Sequence, residues 1–263
     1  MTGMWPDWFY CLRKNNTGPS IAVTMRIIAW NCNMAFRKKF AAIAKFKADI
    51  LVIPECEHPD KINFPTRSGA NIDRLWIGHN PNKGLGIFAY GQYQLSLHKS
   101  YNPDFKLIAP IQVTGGDIDF TLFAIWANNP SDKDGVYVEQ IWKAIHYYAP
   151  LFKKQPVVLA GDFNSNSIWD RKRRISNHSN VVAHLQEKGI ESTYHLFHNQ
   201  QQGKEKHPTQ YMYRHKNKPY HLDYCFASKE LSGKLESVKI GSHKKWSLFS
   251  DHVPVIVNFK TEE

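Results

Sequence analysis

The sequence predicts one α/β domain with two sheets and helices on the outside. Three observations point to it. Short apolar runs recur between turn residues, amphipathic helical stretches fall among them, and 263 residues at 42% hydrophobic and 13% aromatic content can bury a sizeable core.

Residues 1–24 differ in composition from the rest of the chain. The stretch "RKNNTGPS" has loop composition, and Met25 opens the first clear strand. The segment reads as an appendage, either an upstream-start or expression-derived extension or an arm packed through Trp5, Trp8 and Phe9, and residues 25–263 as the domain proper.

From there the elements alternate. "VTMRIIAW" (23–30) reads as a buried strand, "AFRKKFAAIAKFKA" (35–48) as a helix with Phe36, Phe40, Ile43 and Lys47 on one face, and "DILVIP" (49–54) as a second strand. This is a βαβ-like start. Residues 85–90, 107–113 and 119–127 read as strands, with Gly115-Gly116 making a hairpin between the last two. Residues 136–152 carry Val138, Ile141, Trp142, Ile145, Tyr148 and Phe152 at helical spacing. Pro156 opens the strand "PVVLAG", and residues 177–189 form a helix capped by Ser179 or Asn180 and closed by Gly189. "TQYMY" and "YHLDYCFAS" flank the turn "RHKNKP" as a second hairpin, and "VPVIVNF" (253–259) is the last strand.

Lys and Arg number 34 against 23 Asp and Glu, a net charge of +11 that attracts polyanions: nucleic acid, anionic lipid or phosphorylated metabolites. No apolar run is long enough to span a bilayer, and "MTGMWPDWFY" lacks a signal peptide's basic start and apolar stretch. Cys11, Cys32, Cys56 and Cys225 show neither zinc-ribbon nor CxxC spacing, so they read as reduced thiols of a cytoplasmic protein. The sequence gives no basis for oligomeric state.

Polar residues cluster at four strand ends. Asn31 and Asn33 follow "RIIAW", Glu55 follows "DILVIP", Asp162 and Asn164 follow "PVVLAG", and Asp251 and His252 precede "VPVIVNF". Rigid strands hand residues to a site at such ends. Carboxylate and amide oxygens suit Mg²⁺, with Mn²⁺ as a substitute, and the set lacks the thiolates zinc favours. Glu55, directly behind an apolar strand and a proline, is poorly placed for casual exposure. A GD turn bonding its own backbone would account for Asp162 and Asn164 alone, and packing at a strand start for His252. Asp223 changes that balance. It lies inside the apolar "YHLDYCF", where a buried carboxylate needs a partner, and His252 is the candidate.

In order along the chain, "RIIAWNCN", "ILVIPECE", "LAGDFNSN", "HLDYCFAS" and "SDHVPVIV" resemble the endonuclease/exonuclease/phosphatase superfamily, over residues 25–259. The resemblance implies a four-layer α/β sandwich, two central, mostly antiparallel sheets flanked by helices, that hydrolyses phosphoesters with Mg²⁺. It implies Glu55 as principal metal ligand with Asn31 beside it and Asp251 as a further contact. Asp162 would orient or deprotonate the attacking water, Asn164 would donate to the phosphate or to Asp162, His252 would contact the phosphate, and Asp223 would orient His252. The chain departs from the pattern at Trp126, where many members carry a catalytic His or Tyr. An indole has only an N–H donor, and Asn128 or Asn129 is left to supply a phosphate donor.

The run "RKRR" points to the substrate. Arg171, Lys172, Arg173 and Arg174 lie one short loop from Asn164. Two more basic stretches, 214–218 and 243–245, lie near catalytic motifs, with Trp169, Tyr213 and Trp246 beside the cations as stacking candidates for unpaired bases. The sequence thus predicts a nuclease acting on DNA or RNA. A phosphatase or phosphodiesterase for a small or lipid-linked phosphate, and a catalytically weak nucleic-acid-binding homologue, are the alternatives.

Overall fold

The computed structural model describes residues 24–64, 71–128 and 137–261. The aromatic residues and Cys11 of the amino-terminal segment, and Asn129, lie outside them, whereas Thr24 already belongs to the first strand.

The chain runs through β1 (Thr24–Ala29), a short helix α1 (Phe40–Ala44), β2 (Ile50–Cys56), β3 (Ile72–Asn80), β4 (Lys83–Tyr90), β5 (Gln94–Leu97), β6 (Ile108–Thr114) and β7 (Phe120–Trp126). Helix α2 (Val138–Tyr147), β8 (Val157–Asp162), α3 (His178–Glu187), β9 (Ile190–Ser192) and α4 (Thr193–His198) come next. A two-stranded ribbon, β10 (Gln210–Tyr211) and β11 (Pro219–Tyr220), precedes β12 (Asp223–Ser228), α5 (Lys229–Ser232), β13 (Leu235–Ile240), α6 (His243–Trp246) and β14 (Val255–Lys260). One six-stranded sheet has the order β13-β14-β1-β2-β4-β3, the other β5-β6-β7-β8-β12-β9. Each is antiparallel except for one parallel pair, β1 with β2 and β7 with β8.

The apolar runs of the sequence are strands covered on both faces. In β1, Met25, Ile27 and Ala29 join the core between the sheets, while Ile28 packs outward. In β7, Phe120, Leu122, Ala124 and Trp126 face the inter-sheet core, while Phe123 and Ile125 meet α2 and the residues after it. Residues of α1 and α6, with Trp30 and Phe36, cover the first sheet; α2 and α3 cover the second. Four layers result.

Three local expectations are corrected. The 35–48 stretch is not one helix: Asn33, Met34 and Ala35 all have positive φ, a 3₁₀ turn spans Phe36–Lys38, and only Phe40–Ala44 is α-helical. Phe36, Phe40 and Ile43 are buried as the pattern required, but Lys47 is exposed. Helix α2 stops at Tyr147 and a 3₁₀ turn carries Ala149–Lys153, because Pro150 has no N–H to continue the helix. Helix α3 has its N-cap position at Asn177, two or three residues before the expected Ser179 or Asn180. The Asp170 carboxylate accepts from the His178 and Ser179 backbone N–H groups at 2.9 and 3.1 Å and caps it from outside.

Candidate active site

The ends of β1, β2, β7 and β8 meet the loop before β14 in an open cleft of about 1030 Å³. Asn31, Glu55, Trp126, Asn128, Asp162, Asn164, Asp251 and His252 line it. Each sheet supplies part of the set.

Asp162 sits at its centre, fully buried. It is opposite Asp223 in the β8–β12 pairing and beside Trp126 in the parallel β7–β8 pairing. Gly161 permits this register: at φ +140°, a Cβ there would come within 1.9 Å of the Ile125 carbonyl oxygen. Asp162 Oδ1 accepts from the Asn164 backbone N–H at 2.9 Å, and Oδ2 accepts from the side-chain amides of Asn31 and Asn164, both at 3.0 Å. Asn164 adopts the left-handed conformation (φ 45°) and also donates to the Ala127 carbonyl at 2.8 Å. Burial, then the Asp223 charge, push the Asp162 carboxyl up to about 7 against the pull of His252 and these donors.

His252 is held from three sides. Its Nδ1 lies 2.8 Å from Asp223 Oδ2, its N–H donates to Ser250 Oγ at 3.0 Å, and its carbonyl accepts from Trp30 Nε1 at 3.0 Å. With Nδ1 engaged, Nε2 is left to act on what enters the cleft. Burial pulls this imidazole's pKa down, but the charges of Asp223 and Asp162 outweigh it and raise it to about 10. Asp223 Oδ1 is buried without a hydrogen-bond partner among the described residues, so its charge is balanced chiefly through the imidazolium.

Glu55 stands at an irregularity in the β2–β4 pairing, between Pro54 and Cys56, with φ +60°. Its Oε1 accepts from the Asn31 amide at 3.2 Å and its Oε2 lies 3.3 Å from Lys83 Nζ. The Asn31 amide thus bridges Glu55 and Asp162, while its carbonyl oxygen accepts from the Asn33 backbone N–H at 3.0 Å. Asp251 Oδ1 accepts from the Asn33 side chain at 2.9 Å. Carboxylate oxygens of Glu55, Asp162 and Asp251 on one cleft suit a hard divalent cation. Asp162, Asp223 and His252 also bring ligand atoms within 4.8 Å of one another. Cys32, Cys56 and Cys225 are buried free thiols with pKa values raised by burial, and none offers a thiolate.

The expected substrate contacts divide. Trp126 is 4% exposed, its ring forming cleft wall and inter-sheet core at once. A smaller pocket of about 160 Å³ shares Asn164 with the cleft and is lined by Trp169, Arg171 and Arg174. Trp169 is 45% exposed and packs on Tyr220. Arg171, Lys172 and Arg173 are exposed, but Arg174 turns inward, its Nη2 2.9 Å from Glu139 Oε1. Trp246, expected beside the cations as a stacking residue, is 1% exposed and packs against Trp30 and Phe46. Sequence reasoning missed Trp76, Lys83 and Gln210 in the cleft wall. Nothing in their local sequence marks them.

Residues 28–252 match the model of the Endonuclease/Exonuclease/phosphatase family. The chain belongs to that family. Membership makes it a metal-dependent phosphoesterase. No curated protein matches the chain in sequence. Among solved structures, an AP endonuclease from Archaeoglobus fulgidus is 18% identical with a TM-score of 0.66, over 89% of this chain and 99% of its own. The 3′-5′ exonuclease NExo from Neisseria meningitidis is 18% identical at 0.63, over 90% and 100%. The AP endonuclease LMAP from Leishmania major is 11% identical at 0.68, over 91% and 88%. These likenesses show that the two-sheet sandwich is the family fold.

Proposed function

We propose that the chain is a cytoplasmic, Mg²⁺-dependent nuclease hydrolysing phosphodiester bonds of DNA or RNA. One observation carries the choice of a polymer: a second pocket shares Asn164 with the cleft, and its wall combines the exposed indole of Trp169 with Arg171, next to the exposed Lys172 and Arg173. Stacking surfaces beside cations track a strand beyond its reacting phosphate. The structural neighbours named as AP endonucleases and a 3′-5′ exonuclease support the same substrate.

In this reading Glu55 and Asp251, with Asn31 beside them, would hold the metal, which when bound would supply positive charge to the phosphoryl oxygens. Asp162, held by three amide donors, orients the attacking water and takes its proton as the new P–O bond forms and the ester P–O bond breaks, the leaving oxygen taking a proton from solvent. Asn164 keeps Asp162 aimed, and Asn128 offers an amide to the phosphate. His252 presents Nε2–H to a phosphoryl oxygen, oriented by Asp223. Trp126 serves as wall and not as proton donor.

The test compares the protein with Asp162→Ala on labelled single- and double-stranded DNA and RNA, in Mg²⁺, Mn²⁺ or EDTA, beside phosphate release from inositol phosphates. Metal-dependent strand cleavage that the substitution abolishes is the expected result. Phosphate release without strand cleavage would assign a small-phosphate substrate instead, and nucleic-acid binding without turnover a binding protein.

A further inference from the structure

The cleft contains a cation that the sequence motifs leave out. Lys83 is the first residue of β4, and its Nζ stands 3.3 Å from Glu55 Oε2 and 5.2 Å from the centroid of the Trp126 ring. Its side chain is 38% exposed and borders the same cleft as Asn31, Asp162, Asn164 and His252.

The backbone behind it is fixed. Trp76 lies so close to Gly84 that a Cβ there would meet the indole at 2.4 Å, and Trp76 Nε1 donates to the Cys56 carbonyl at 3.1 Å. The strand pair that bulges at Glu55 is therefore clamped to the residue following Lys83. The ammonium has a defined root and a short reach, with an aromatic face beside it that attracts a cation.

A partly exposed ion pair of this kind contributes little to stability. Its placement matters more than its energy. Glu55 is also the carboxylate best placed for a divalent cation, and a metal there competes with the ammonium for the same oxygens. A lysine displaced from Glu55 stays inside the cleft, where the acceptor a substrate brings is a phosphate oxygen.

We propose that Lys83 is a phosphate-contacting residue, binding a non-bridging oxygen of the ester from the Trp126 side of the cleft. The inference rests on phosphate esters being bound in this cleft, as in the proposed function, but not on which polymer or small molecule carries them.

The experiment uses the full chain with Lys83→Met and Lys83→Arg. Calorimetry measures Mg²⁺ alone and inorganic phosphate in the presence of Mg²⁺; kcat and KM are then measured on whichever substrate the unmodified protein cleaves. Lys83→Met is expected to weaken phosphate binding about 10- to 100-fold, the loss of one charged hydrogen bond. KM should rise, Mg²⁺ should bind at least as tightly as before, and the melting temperature should hold. Lys83→Arg should recover part of the phosphate affinity. Unchanged phosphate binding in Lys83→Met would overturn the proposal. So would a fall in Mg²⁺ affinity, because Lys83 would then serve only to hold Glu55. Should the unmodified protein hydrolyse no ester, the nuclease reading fails, and the phosphate titration still decides on Lys83. Absence of phosphate binding by the unmodified protein counts against both.

Discussion

His252 Nδ1 and Asp223 Oδ2 lie 2.8 Å apart, Asp223 sealed from solvent and His252 buried except where it borders the cleft, and the second carboxylate oxygen of Asp223 has no hydrogen-bond partner among the described residues. The pair fixes which imidazole nitrogen faces the cleft and stabilises the charged ring. Asp223→Asn keeps the shape but removes the charge. It is expected to lower kcat about 10²- to 10⁴-fold with a smaller effect on KM, measured by steady-state kinetics on the substrate found active. Because folding raises the pKa of His252 from 6.5 to about 10, the pair contributes its full stability below pH 6.5 and loses it as pH rises through 10. Denaturant titrations of the substituted protein should lack that alkaline loss.

Asn164 combines a left-handed backbone with an amide that serves both Asp162 and Ala127. Asn164→Gly removes the amide and relaxes the backbone; Asn164→Ala removes the amide and strains it. Activity should fall alike in both, about 10- to 100-fold, while the glycine protein should be about 1 kcal/mol more stable than the alanine protein by chemical denaturation. Activity retained in the glycine protein would show that only the backbone matters there.

Acid should unfold the protein early. Burial lowers His178 and His221 from 6.5 to about 4, so the unfolded chain binds more protons than the native one between these values. Stability therefore falls as pH drops from 6.5 toward 4: the two sites together amount to about 7 kcal/mol if both contribute fully, and protonation of Asp162, raised to about 7, offsets about half of that. Melting curves across this range should show the decline, and His178→Gln should make it shallower.

The exposed cations Arg171, Lys172 and Arg173 should act through long-range charge rather than through the chemical step. Replacing all three with alanine is expected to weaken binding of a nucleic acid and to reduce the slope of log K against log salt by about 1 for each phosphate no longer neutralised, with kcat little changed. Binding titrations at several salt concentrations measure the slope. An unaltered slope would place the nucleic-acid path elsewhere.

The interior strands were legible from sequence because both faces of each are covered, which writes a continuous apolar run. The strands that escaped notice include all four sheet edges: β3, β5, β9 and β13. An edge strand meets solvent, and its residues mix accordingly, as in "QLSL" of β5 and "LESVKI" of β13. Site residues at the ends of apolar runs were visible for the same reason that the runs were. Lys83 was not, because its meaning depends on a bulge in the neighbouring strand and on an indole from the other sheet. Trp246 misled for a related reason: its cationic neighbours mark the surface of a single helical turn, whose opposite side buries the ring.

The division of the cleft between the sheets has a consequence for the chain before it is fully folded. Asn31, Glu55, Asp251 and His252 come with the sheet built around β1, whereas Asp162, Asn164 and Asp223 come with the one built around β8. Neither half alone unites Glu55 with Asp162, or Asp223 with His252. On the proposed mechanism, hydrolytic capacity arises only when the inter-sheet core closes, so an immature or partly unravelled molecule would be harmless to the phosphate esters around it. Turnover then serves as a direct count of properly assembled molecules.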